Sequence, residues 1–127
     1  MSQVYTQPPS IGDLIKREFD KDYSREIITL KGGSTYEFGS VLGKVTTTGL
    51  YSPAPAASTE ALEGAEIGCA VLIETVDATS ADAQAVAVVR GPAIVADVAL
   101  VFDATVDSAE ERNTKLQQLA AHGIVAR

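Results

Sequence analysis

One stretch, residues 67–95 (IGCAVLIETVDATSADAQAVAVVRGPAIV), limits the folds open to this chain more than any other. Residues 67–76 form an apolar run rich in β-branched side chains, and residues 84–89 form a second. Between them lies DATSAD at 77–82, six small and polar residues that suit a hairpin loop. Along the first run Cys69, Val71 and Ile73 alternate with Ala70, Leu72 and Val76. Both faces of the strand are therefore apolar, and a strand of that kind must be covered on both sides. The pair is expected to be the centre of the core.

The material available for that core is aliphatic. Trp is absent, and only four Tyr and three Phe occur in 127 residues, although 46% of the chain is hydrophobic. Such a composition argues against a wholly disordered chain and for one domain with a modest core of Val, Ile, Leu and Ala. Small side chains bury less area each than aromatic ones, so help from oligomerisation is expected. The formal net charge is −7, and residues 27–127 hold six basic against twelve acidic residues. With no basic stripe, direct nucleic-acid binding is not expected, and an acidic surface is repelled by an anionic membrane. The N-terminus MSQVYTQPPS has no charged start followed by an apolar stretch, so no signal peptide is read there. No apolar run approaches a membrane span. The single Cys69 excludes an internal disulfide and suits synthesis in a reducing cytoplasm.

Residues 1–24 differ in character from the rest of the chain. QPPS interrupts regular structure, after which charge is mixed with Ile11, Leu14, Ile15, Phe19 and Tyr23. Positions 11, 14, 15 and 19 have the spacing of a short amphipathic helix. The segment is expected to be a flexible N-terminal arm in the free protein that folds on a partner. Residues 26–30, 35–38 and 41–48 read as strands, with turn residues KGGS after the first and Gly39 and Gly43 as bends or bulges. PAPAAS and STEALEGAE read as an irregular surface loop. Arg90-Gly91-Pro92 breaks the pattern before one or two strands over residues 93–102. Near the end, Asp107 or Ser108 caps a helix in which Ala109, Leu116, Leu119 and Ala120 share a face, with Gly123 as its left-handed stop. The expected fold is mainly β, a small barrel-like or sandwich-like body of six to eight strands with one C-terminal helix.

Candidates for chemistry are sparse. His122, the lone histidine, sits where a cation complements the helix dipole, and no nucleophile motif accompanies it. Cys69 lies in the most apolar run, where a thiolate is disfavoured. One Cys and one His make no closed zinc site, so no metal or other cofactor is expected. Asp77 and Asp82 flank the DATSAD loop and could face one another as an acid–base pair, but Asp at such junctions is ordinary turn chemistry. An enzyme is not expected. An alternative of another class is a small biotinyl or lipoyl carrier domain with Lys44, in VLGKV, as the modified residue; a solvated strand lysine fits that position better.

Taken in order, VLGKVT at 41–46, the Asp-rich loop, VVRGPAIV at 88–95 and the terminal LAAHGIVAR resemble the bacteriophage lambda head decoration protein D family over about residues 25–127. The resemblance implies a structural virion protein, made in the host cytoplasm, that assembles as a homotrimer on the outside of an expanded tailed-phage head. Its sites would be the local three-fold points, where it braces the shell against packaged DNA. Its partner would be the major capsid protein, one of whose sheets the family's N-terminal segment extends. On that reading residues 1–24 are the capsid-contacting arm and residues 25–127 the decoration domain. Val4, Tyr5, Ile11, Leu14, Ile15 and Phe19 are then the expected docking side chains.

Overall fold

The computed structural model describes residues 14–18 and 24–127. The strands run β1 (Ile15–Glu18), β2 (Arg25–Leu30), β3 (Ser34–Tyr36), β4 (Val41–Lys44), β5 (Tyr51–Pro53), β6 (Gly68–Leu72), β7 (Val76–Ala78), β8 (Ala83–Val88) and β9 (Ala93–Val95). Helix α1 (Ala109–Ala121) and β10 (Ile124–Ala126) complete the chain. Strands β2, β5, β4, β6 and β8 close into a barrel, β3 pairs with β7, and β1, β9 and β10 form a separate three-stranded sheet in that order.

The barrel explains the composition. Ile28 and Leu30 of β2, Leu42 of β4, Ala70 and Leu72 of β6, and Ala85 and Ala87 of β8 form one buried cluster. Cross-strand pairs Ile28↔Ala85, Leu42↔Ala70 and Leu72↔Ala87 place them on a shared face, the barrel interior. About eight strands give a barrel just wide enough to be filled by ordinary side chains. Five leave less room, and alanine fills it. Tyr36 is buried beside this cluster, its hydroxyl donating to the Lys31 carbonyl at 2.6 Å.

Alternate residues of the same strands build a second core on the outer wall. Val41, Val71, Ile73 and Val88 pack there with Leu119 of α1, Ile124 of β10, Ala93 and Val95 of β9, Leu14 and Leu100. Strand β6 is thus buried on both sides, as its sequence requires, and so is the Ala87–Val88 end of β8, whereas Gln84 at its start is exposed. The two strands are antiparallel neighbours, with Val71 opposite Val88. Their connection is not a plain hairpin, however, because β7 leaves to pair with β3. At Gly43 the Ala65 backbone comes so close that a methyl group would collide with its carbonyl. The register slips between Leu42 and Gly43, the bulge that this glycine suggested.

Helix α1 is capped as expected. Ser108 accepts from the Glu111 N–H at 3.2 Å, while the Glu111 carboxylate accepts from the Asp107 N–H and the Ser108 hydroxyl. Gly123, at φ +82°, stops it. The buried face differs from the expected one. Ala109 and Ala120 are exposed, whereas Lys115 is buried to 1% exposure beside Leu119. Its ammonium donates to the Glu66 carbonyl, and Gln118 accepts from the Gly68 N–H at 2.8 Å. An amphipathic lysine thus ties the helix to the loop before β6. Burial pushes its pKa below the ordinary value.

Residues 15–18 are a strand and not part of a helix. Ile15 pairs with Val95 and Arg17 with Ile94, and Leu14 is fully buried in the outer core. Glu18 receives a two-pronged bond from Arg25 (2.6 and 3.1 Å) and a further one from the Ser24 hydroxyl. These join β1 to the start of the barrel. Over Ile15–Glu18 strand pairing with β9 outweighed the helical spacing, while Leu14 is helical and positions 11 and 19 of that pattern lie outside the described residues.

Both buried anchors can be tested in solution. Leu14→Ala lowers unfolding free energy by about 2–5 kcal/mol in urea, the range for a buried leucine; a negligible loss would detach residues 14–18 from the folded body. With its folded pKa lowered, Lys115 is protonated more in the unfolded chain than in the fold over a window ending near the ordinary lysine pKa of about 10.4. Wild type therefore gains stability relative to Lys115→Met as pH rises through that window, as pH-dependent denaturation would measure.

Candidate functional site

The side chains singled out for chemistry are dispersed and occupied by the fold. His122 is the exposed cap residue of α1, its N–H turned back to the Leu119 and Ala120 carbonyls. Cys69 is partly buried in β6, and burial raises its thiol pKa, opposite to what a nucleophile needs. Asp77 accepts from both the N–H and hydroxyl of Thr79, at 3.1 and 2.7 Å, which holds its pKa below the ordinary carboxylate value. Asp82 instead accepts from the Gly32 N–H at 2.7 Å, fastening the loop to the turn after β2. The two aspartates thus brace separate turns. Among the described residues no group of three or more His, Cys, Asp or Glu is placed to hold a metal ion. No described helix is long and apolar enough to cross a membrane.

Lys44 ends β4, opposite Tyr51 of β5, with its ammonium 6.0 Å from that ring's centre. It lies in the barrel wall, not at a turn tip. The turn beyond it closes through the Val45 and Gly49 N–H groups, which bond to the Leu50 and Val45 carbonyls. The Lys44 side chain is exposed at the end of a barrel strand, the solvated strand lysine that the sequence favoured, whereas a carrier lysine is carried at the tip of a tight turn.

What remains is surface. The exposed large apolar residues among those described are Ile27, Ile67, Val98 and Val125. Of the expected docking side chains, Leu14 is a core residue and Ile15 a half-buried member of β1. Val4, Tyr5, Ile11 and Phe19 lie outside the described residues. Sequence reasoning passed over Val98 and Val125, since the first sits in a run that reads as strand and the second in a terminal pair that reads as core packing. Only the turn over Asp97–Ala99 and the pairing of β10 turn them outward.

The described residues form a small β-barrel whose outer wall is covered by one helix and a three-stranded sheet. The model of the bacteriophage lambda head decoration protein D family matches residues 4–124, and the chain belongs to that family. It is thus a structural phage protein that decorates the capsid and associates with the virion head. A comparison with curated proteins returns no match. The family match begins at residue 4, so it takes in most of the N-terminal segment that the resemblance over residues 25–127 had left out.

Membership of this family predicts an unmodified polypeptide. Intact mass spectrometry should give the 13.3 kDa of the bare chain. Lys44→Arg should bind heads as wild type does. A prosthetic mass on Lys44 would contradict both.

Proposed function

We propose that the protein is a cement of the tailed-phage head, binding as a homotrimer to the outer surface of the expanded shell at its local three-fold sites. There it opposes the outward pressure of packaged DNA. The chain before β1 is the capsid-binding arm. It adds a strand to an exposed sheet edge of the major capsid protein, which supplies main-chain hydrogen bonds, while Val4, Tyr5 and Ile11 fill pockets alongside. Phe19, in the connection between β1 and β2, belongs to the same contact region. Leu14 and Ile15 serve as the root by which the arm's tension reaches the body.

The observation that supports this reading is the family match from residue 4 onward, combined with a fully buried Leu14 at the base of the segment. A cement has to transmit force between capsid subunits. A buried leucine, a paired strand and the Glu18–Arg25 bridge give the arm a fixed anchorage for that purpose. Three arms on one trimer make each further contact effectively intramolecular, so weak individual docking sums to firm attachment. The acidic remainder of the body keeps decorated particles dispersed.

The test is co-sedimentation with expanded heads lacking decoration protein. Full-length chain should bind saturably, and Val4→Asp/Tyr5→Asp/Ile11→Asp should lose that binding while melting at the wild-type temperature. Undiminished binding by the triple variant would move the contact off the arm. Failure of wild type to bind would reject the cementing role.

A further inference from the structure

The three-stranded sheet has one face in the outer core and another turned outward. On β9, Ala93 and Val95 are buried while Ile94 between them is partly exposed; on β10, Ile124 is buried and Val125 exposed. Register places Arg17, Ile94 and Val125 in one cross-strand row. Directly after β9 comes the turn Asp97–Ala99, whose Asp97 N–H bonds to the Arg127 carbonyl at 3.3 Å. The turn therefore sits beside the end of β10, and it holds out Val98 at 93% exposure. Fully exposed valine gains nothing for the monomer, and three aliphatic groups in one neighbourhood suit a contact surface.

We infer that this outward face, centred on Val98, Ile94 and Val125, is a second capsid contact, seated on an apolar area of the shell's outer surface that carries acidic groups. The inference rests on the proposed cementing role and adds a body contact to the arm. Two observations select the shell as occupant. The first is chain geometry. Ile11 lies three residues before the buried Leu14, and an extended chain covers at most about 3.6 Å per residue. A docked Ile11 thus holds the β1 edge of the sheet within about 11 Å of its own pocket. The second is charge. Lys16 and Arg17 are both exposed on β1, and the one acid of that strand, Glu18, is engaged by Arg25 and Ser24. On a chain of net charge −7 this strand offers cations to an acidic partner. The acidic surface of a second copy meets the same charge rule but lacks the tether, so the shell is the occupant the chain geometry favours.

The experiment uses full-length Val98→Asp, Val125→Asp and Arg17→Glu with heads lacking decoration protein. Thermal melting and sedimentation velocity are run on each free protein. All three positions are on the surface, so wild-type melting is expected. Val98→Asp and Val125→Asp should each weaken head binding about tenfold or more, the usual effect of disrupting a central apolar contact. Arg17→Glu should weaken binding and flatten its salt dependence. Wild-type affinity in the valine variants would overturn the inference and leave the arm contact standing. Loss of self-association by Val98→Asp would also overturn it, assigning the face to a second copy. Wild type failing to bind heads would reject the cementing role and this contact together.

Discussion

Burial of β6 on both of its faces, continued by the Ala87–Val88 end of β8, is the constraint that dictates the remaining architecture. Inward, Ala70, Leu72, Ala85 and Ala87 fill a five-stranded barrel too narrow for large side chains. Outward, Val71 and Val88 would meet water unless something covered them. The cover is supplied by Leu119 of α1 together with Ile124 and Val95 of the three-stranded sheet and Leu14 just ahead of β1. The chain thus needs a third layer, and that layer brings β1, the root of the N-terminal segment, into the folded body. Core composition and position of the proposed arm are consequences of one packing requirement.

That requirement was legible in the sequence because strand alternation writes it directly. Apolar residues on both parities of 67–73 foretold coverage on both sides, and the capping pattern SAEE with Gly123 foretold α1. Gly43 also announced its bulge. The connectivity was harder to read. DATSAD reads as a plain hairpin loop, yet β7 is captured by β3 through pairs that span some forty residues, a tertiary choice with no local signal. Lys115 was hidden for a related reason. A lysine in a helix reads as solvated, and its burial depends on the Glu66 carbonyl arriving from a distant loop. At Ile15–Glu18 the pattern fitted a helical stripe, and pairing with β9 decided otherwise.

The proposed contact surface was the least legible part. Catalysis leaves residue types in recognisable company, and their absence carries little information. Adhesion to a shell requires only exposed apolar groups and compatible charge, which resemble ordinary core residues until the fold turns them outward. Val98 illustrates this. Within VADVALVF it belongs to an apolar run, and only the short helical turn after β9 presents it to solvent. In the cementing role these groups act mechanically. The arm and sheet face would share load, and Leu14 with the Glu18–Arg25 pair would pass it into the barrel.

The most direct test is a cryo-electron microscopy reconstruction of expanded heads saturated with the full-length protein. It should show three copies at each local three-fold site on the outer surface, with the β1–β9–β10 sheet facing the shell and the preceding chain paired along a capsid strand. Copies on the inner surface, or bodies attached with that sheet facing away from the shell, would contradict the mechanism.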